Sequence, residues 1–365
     1  MPSPTIARRA IWSASRSSAT ARSAPAAPDP AKRKRLSSMV FPFSRRGVLA
    51  AGAFLALAAC GDGGAAGVTL KVADQLHALK SSLDVAGEDR PEGYRIEWSN
   101  FVGGPPIIAA QTGGSVDVGW MAETPVIFAQ AAGSPIKVVA VSQSATAEGS
   151  GFALVVKPGS PIRSVKDLKG RSVAYMKGTV LQYFVARLLE REGLSLDDIK
   201  PVQATGFGTG LLDKGAADAI VLTEPFLTQL EDSGKIRIIA TGARPNTPGF
   251  MYLVASDAAL ADPAKAKAIG DLIARAARAQ RWQRENVKKA APAIAKRYNV
   301  DLDIAERIIA RSPQHYTPID AGVIAAHQDE ADLFSRLGLI RGRLDTRKVF
   351  DTRYDAIVAA QEAGA

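Results

Sequence analysis

The stretch GGSVDVGWMAETPVIFAQAAGSPIKVVA, residues 113–140, runs an apolar segment into a break at Glu123-Thr124-Pro125. A helix-forming segment, a glycine and a second β-branched run follow. Further along, KGAADAIVLTEPFLTQLEDSGKIRIIA, residues 214–240, repeats that order. Asp117 and Asp218, Glu123 and Glu224, and Ala140 and Ala240 keep a near-constant offset. Gly133 and Gly234 end the two helices, and Lys137 and Arg237 enter the strands that follow. A strand–helix–strand unit written twice predicts two similar α/β halves, each with its own sheet. The match covers few positions, so chance likeness between two α/β units is the competing reading.

Outward from these two units, apolar or β-branched runs occur at 69–73, 95–99, 152–156, 172–175, 200–203 and 251–255. Helical stretches separate them, such as QYFVARLLERE at 182–192, stopped by Gly193. The alternation predicts an α/β protein with largely parallel sheets. From Pro263 onward the strand signals stop. Two long segments there carry apolar faces of helical period, which predicts a helical C-terminal tail packed over one half and its hinge. Pro292 is expected to split the first of them into two helices.

The formal charge of +10 is unevenly placed. Residues 1–59 hold ten Lys and Arg against the single acid Asp29, so the remainder is nearly neutral and does not ask for a nucleic-acid partner. MVFPFSRRGVLAAGAFLALAAC, residues 39–60, has a basic start at Arg45-Arg46 and an apolar run ending at the only cysteine, Cys60. The run is too short to span a bilayer, which takes about 18 residues or more, but it suits a secretory signal. Residues 1–38, rich in Ser, Ala, Pro and Arg, are expected to be disordered, with Met39 as the expected initiator.

The chain has no Gly-rich nucleotide loop, dinucleotide fingerprint or Gly-x-Ser-x-Gly elbow. Its three histidines, His77, His315 and His327, are too scattered for a metal set. No catalytic residue, metal or cofactor is expected. What recurs is a strand running into a turn that opens a helix: at Gly103-Gly104-Pro105, Thr124-Pro125, Lys177-Gly178-Thr179, Glu224-Pro225 and, more loosely, Gly206–Gly210. Thr179 is the expected cap of its helix. Unpaired N–H groups at helix starts bind oxyanions, so several converging between two halves would form an anion-binding crevice.

The ending Leu57-Ala58-Ala59-Cys60 resembles the lipobox of bacterial lipoproteins, and Ser44-Arg45-Arg46 a twin-arginine signal. From Thr69 to Ala360 the chain resembles the periplasmic binding proteins of ABC importers for aliphatic sulfonates, within the nitrate, sulfonate and taurine group. EWSNFVGGPP, the two repeated stretches, and VKPGSPIRSVKDLKGRSVAYMKGTVLQYF carry the likeness. It implies the type II fold of two α/β lobes joined by two crossing segments. Lobe one would be 68–154 plus 251–365 and lobe two 155–250, after a signal peptide at 39–59 and a tether at 60–67. The crossings would lie near 151–156 and 249–255. The cleft would be lined by Gln75, His77, Gly103, Gly104, Glu123 and Thr124, and from the other lobe by Lys177, Gly178, Thr179 and Glu224. Amides of Gly104, Thr124 and Thr179, with the two threonine hydroxyls, are the candidates for sulfonate oxygens. The implied partners are a small organic anion, an ABC permease with its ATPase, and the membrane through lipid on Cys60. The implied place is the periplasm or outer face of the membrane, reached by a Sec or twin-arginine signal.

This chain departs from the family in having Glu123 where Asp is common, and Thr223-Glu224-Pro225-Phe226 where a Trp-Asp-Pro-Tyr-like run is common. Each glutamate either accepts hydrogen bonds from the helix it precedes or holds a cationic group of the ligand, such as a taurine-like amine. Nitrate or a pyrimidine thiamin precursor are alternative ligands on the same fold. An enzyme on this fold or the effector domain of a transcription regulator are alternatives of other classes.

Overall fold

The computed structural model describes residues 67–206 and 209–363. The stretch expected to be disordered, the signal peptide, Cys60 and the tether up to residue 66 lie outside the described residues, as do Phe207 and Gly208. The first half of the body supplies β1 (Val68–Gln75), α1 (Ala78–Ala86), β2 (Tyr94–Phe101), α2 (Gly104–Thr112), β3 (Val118–Ala122), α3 (Thr124–Ala131) and β4 (Ile136–Ser144). There follow β5 (Phe152–Val156), β6 (Ser172–Tyr175), α4 (Val180–Arg191), β7 (Lys200–Gln203), α5 (Gly210–Asp213), β8 (Ala219–Thr223), α6 (Phe226–Asp232) and β9 (Arg237–Thr241). The chain returns as β10 (Phe250–Ser256), α7 (Asp257–Ala261), α8 (Pro263–Glu285), α9 (Val287–Tyr298), α10 (Leu302–Arg311), β11 (Gln314–Thr317), α11 (Ala321–Arg336) and α12 (Asp355–Glu362).

Two sheets result, ordered β11-β4-β10-β3-β1-β2 and β7-β6-β8-β5-β9. The repeated segments are β3-α3-β4 in one and β8-α6-β9 in the other, and they match atom for atom at key points. Asp117 accepts the amide of Lys71 on β1 at 2.9 Å, and its own N–H returns to the Lys71 carbonyl. Asp218 does the same with Ser172 on β6, at 2.8 Å in each direction. Gly133 and Gly234, at φ 73° and 65°, end α3 and α6 in the left-handed conformation that only glycine adopts freely. The residue after each glycine sends its N–H back over the last turn, Ser134 to Ala129 and Lys235 to Leu230.

Each sheet is mixed rather than parallel throughout, and the cause is an exchange of strands. The chain leaves the first sheet after Ser144 and pairs β5 antiparallel between β8 and β9. It leaves the second after Thr241 and pairs β10 antiparallel between β3 and β4. Both exchanged strands shift register at one step, between Leu154 and Val155 and between Leu253 and Val254. The crossings therefore run through 145–151 and 242–249, ahead of β5 and β10, and bond to one another through the Arg244 N–H and Ala147 carbonyl.

The tail departs from expectation in two places. Strand signals do not stop at Pro263, because Gln314–Thr317 adds an antiparallel edge strand against β4. Four residues carry too short an alternation to stand out between helices. The helix break falls at Asn286, whose side chain donates to the Trp282 carbonyl, while Pro292 stays inside α9. A proline early in a helix forfeits a single backbone bond, which the helix can tolerate.

The tail also ties the halves together. Val323 near the start of α11 packs with Val138 and Tyr252 of the first sheet. Leu333 and Phe334 at its end join Phe184 and Leu188 of α4 in the core of the second. Phe334 lies 5.1 Å from the Phe128 ring on α3 and 6.1 Å from the Tyr183 ring on α4, both centroid to centroid.

Candidate functional site

A cavity of about 370 Å³ lies between the two sheets. It falls at the carboxyl ends of β1, β3, β6 and β8, where open α/β sheets bind their ligands. Most of its wall is apolar, with Leu79, Trp120, Phe152, Met176, Phe250 and Ile308 among its residues.

Six of the residues expected there do form its wall: Gln75, Gly103, Gly104, Glu123, Thr179 and Glu224. Gln75 is held by its Nε2 donating to the Trp120 carbonyl at 3.2 Å. Gly104 is a packing necessity, since a Cβ there would stand 2.4 Å from Cγ of Pro125, so α2 abuts the start of α3 directly. Thr179 caps α4, accepting from the Leu181 N–H at 3.2 Å and donating to the Met176 carbonyl at 2.7 Å. Its hydroxyl is thereby committed to the fold.

The other four lie elsewhere. His77 and Lys177 are exposed. His77 serves through its backbone, donating to Asn100 Oδ1 at 2.8 Å, because its left-handed φ of 55° turns the chain into α1. Gly178 spends its N–H on the Gln182 side chain at 2.8 Å and faces Pro105 of the opposite half. Thr124 is fully buried, and its hydroxyl donates to Glu330 on α11 rather than towards a ligand.

The two glutamates, alike in sequence, are opposites in space. Glu224 accepts from the N–H and hydroxyl of Thr228, at 3.1 and 2.8 Å, and lies 3.6 Å from Arg311. It is the helix-capping, ion-paired carboxylate. Glu123 caps nothing; both its oxygens are buried without a partner. Burial pushes its carboxyl up to about 8, and Glu330 is likewise raised by burial and by the neighbouring Glu123. Glu123 is therefore protonated and uncharged at neutral pH.

The sequence reading did not find the wall contributed by the helical tail: Gln280 and Arg284 of α8, Ile294, Arg297 and Tyr298 of α9, and Ile308 of α10. Nor did it find Trp120, an aromatic residue of β3 in the same wall as Thr223. An amphipathic pattern shows that a helix has a buried face, but not what that face covers. Arg284 is bound to the Glu362 carboxylate at 2.9 Å, whereas no carboxylate among the described residues lies within ion-pair range of Arg297. Several wall residues hold a buried polar atom without a protein partner: Trp120 Nε1, Ser144 Oγ, Thr223 Oγ1, Gln280 Oε1, Gln314 Oε1 and Arg297 Nε. Buried polar groups are nearly always paired, so a set of orphans around one cavity points to a ligand that pairs some of them.

The family model described as NMT1/THI5 like matches residues 105–281. A protein of Escherichia coli (strain K12) named as an aliphatic sulfonates-binding protein is 30% identical over 263 residues, 72% of this chain and 81% of that one. The chain belongs to the aliphatic sulfonate-binding protein family. Two solved members share its fold. The alkanesulfonate-binding protein SsuA of Xanthomonas axonopodis pv. citri, bound to MOPS, is 27% identical with a TM-score of 0.69, covering 78% of this chain and 98% of that one. The periplasmic aliphatic sulphonate binding protein SsuA of Escherichia coli is 26% identical with a TM-score of 0.68, covering 77% and 97%. The architecture is thus the two-lobe periplasmic binding protein fold of this family, with a helical C-terminal region. No described helix is long and apolar enough to cross a membrane.

Proposed function

We propose that the chain is a non-catalytic, extracytoplasmic solute-binding protein of an ABC importer. It captures an aliphatic sulfonate between its lobes and presents it to a permease. The observation that carries this reading is the charge state of the cavity. Of its four acidic or basic wall residues, Glu224 lies beside Arg311, an arginine that it shares with Glu231, Arg284 is paired with Glu362, and Glu123 is neutralised by a proton. Among the described residues Arg297 alone of these has no carboxylate within ion-pair distance, so the site offers a cation to a negatively charged ligand. The apolar wall suits an alkyl tail. Among the described residues the wall carboxyls are either protonated, as Glu123, or already bonded to Thr228 and beside Arg311, as Glu224, which favours alkanesulfonates over taurine-like aminosulfonates. Capture would close the lobes about the crossings at 145–151 and 242–249. We extend the proposal to the leader: export by a Sec or twin-arginine signal and lipid on Cys60, tested by mass spectrometry of the membrane-bound protein.

The experiment is a thermal-shift panel of 1-hexanesulfonate, taurine, nitrate and formylaminopyrimidine. A ligand at a hundred times its Kd stabilises the folded state by about 2.7 kcal/mol, a shift of several degrees. Hexanesulfonate should give the largest shift. Stabilisation by nitrate or the pyrimidine with none by any sulfonate overturns the reading.

A further inference from the structure

We propose that Arg297, in the helical tail, is the cation that binds the anionic headgroup and sets the preference for charged over neutral ligands. The inference rests on the function proposed above and names a residue for it. Arg297 lies on α9, remote in sequence from every strand-to-helix turn that marks the crevice, and is one of the residues lining the cavity.

Three observations single it out. The first is that no carboxylate among the described residues comes within ion-pair distance of it, Asp74 acting on it only through space. The nearby carboxylate, Asp74, is buried and already accepts three backbone N–H groups, from Gln75, Leu79 and Lys80, at 2.7, 3.1 and 2.9 Å. Asp74 is spent on the start of α1 and is not within ion-pair distance of Arg297. The second is preorganisation. The guanidinium stacks over the Tyr298 ring, 4.1 Å from its centroid. One terminal nitrogen donates to the Tyr298 hydroxyl and the other reaches the His77 carbonyl at 3.4 Å. The third is spare bonding capacity. Nε–H has no partner, and a guanidinium carries five N–H donors in a fixed fork matched to planar pairs of oxygens.

The other wall arginine makes the contrast. Arg284 gives one terminal nitrogen to the Gln314 carbonyl at 2.5 Å and the other to Glu362. Its charge and its fork are both occupied by the fold. Position also matters. Helix α9 packs on α1 of the first lobe and on α10, and α10 in turn packs on α6 of the second. A headgroup held by Arg297 is therefore gripped from a helix that packs on the first lobe and reaches the second only through α10.

The test compares a charged and a neutral ligand of matching tail, 1-hexanesulfonate and hexyl methyl sulfone, by calorimetry on wild type, Arg297→Gln and Arg297→Lys. Thermal melts confirm that each variant is folded. Hydrogen bonds to a charged group are worth about 1.5–3 kcal/mol, so wild type should prefer the sulfonate by roughly 10- to 100-fold. Arg297→Gln should reduce that preference to about threefold or less, with sulfone binding unchanged, and Arg297→Lys should fall between. A glutamine variant that keeps the wild-type preference, or that weakens both ligands equally, overturns the assignment while leaving the function standing. Wild type that binds no sulfonate overturns the function and the assignment together.

Discussion

Replacing the buried glutamate pair with glutamines should change how stability depends on pH, and the structure fixes both the direction and the interval. Glu123 and Glu330 are completely buried and face one another beside the Thr124 hydroxyl. From β10 the Tyr252 hydroxyl faces them, and His327 lies one turn before Glu330 on α11, its ring against Tyr252. Among the described residues the cation acting on Glu330 is Arg187 of α4, itself bound to Asp329 and Glu190. In the unfolded chain both carboxyls titrate near 4.5, whereas in the folded one burial holds the proton on Glu123 up to about 8 and raises Glu330 as well. Between those limits the folded protein binds more protons, so stability is greatest on the acid side and falls as pH rises. His327 works the other way. Burial lowers it to about 3 from 6.5, so its contribution is complete above 6.5 and is lost as pH falls below that. The carboxyls are therefore seen alone from about pH 6.5 to 8. One extra bound proton gives a slope of about 1.4 kcal/mol per pH unit, or about 2 kcal/mol across that interval, and about twice this where both carboxyls hold their protons. Urea denaturation of wild type and of the double variant Glu123→Gln/Glu330→Gln measures it. Asp74, Glu224 and Asp355, also raised by burial, are common to both proteins and cancel. Glutamine at 330 keeps an acceptor for Thr124, so the variant should show a nearly flat profile there. Parallel profiles for the two proteins would refute the protonated pair.

Two further substitutions probe how the cavity is held. Gly104→Ala places a methyl 2.4 Å from Cγ and 3.0 Å from Cβ of Pro125, and neither proline ring nor helix start can give way freely. A loss of about 1–3 kcal/mol in chemical denaturation is expected, with weakened ligand binding because α2 and α3 both border the cavity; an unchanged midpoint would count against the close approach. Phe334→Ala removes a fully buried ring lodged between α3 and α4, and should cost about 3–5 kcal/mol. A cost below 1 kcal/mol would mean that α11 does not fasten the second lobe.

Much of the architecture could be read from residue order because its causes are local. The alternation of β-branched runs with helical periods, the glycines at 133 and 234, the prolines opening α2 and α3, and the Thr179 cap all act within a few residues of themselves. The repeat was visible for the same reason: two short segments with matching breaks fold into matching strand–helix–strand units, down to the paired roles of Asp117 and Asp218. Gln314–Thr317 and the break at Asn286 escaped because a short edge strand and a helix interruption owe their place to neighbours far along the chain.

Sequence alone determined that there would be two α/β halves built on a repeated strand–helix–strand unit. Tertiary structure decided the chemistry of the cavity. Glu123 and Glu224 occupy equivalent places in the repeat, yet one meets a second carboxyl 207 residues away and keeps a proton, and the other accepts from Thr228 beside Arg311. Arg297 lies in a helix whose polar pattern would serve equally well against water. Charge and protonation depend on burial and on what stands opposite, and both are set only when distant segments pack together.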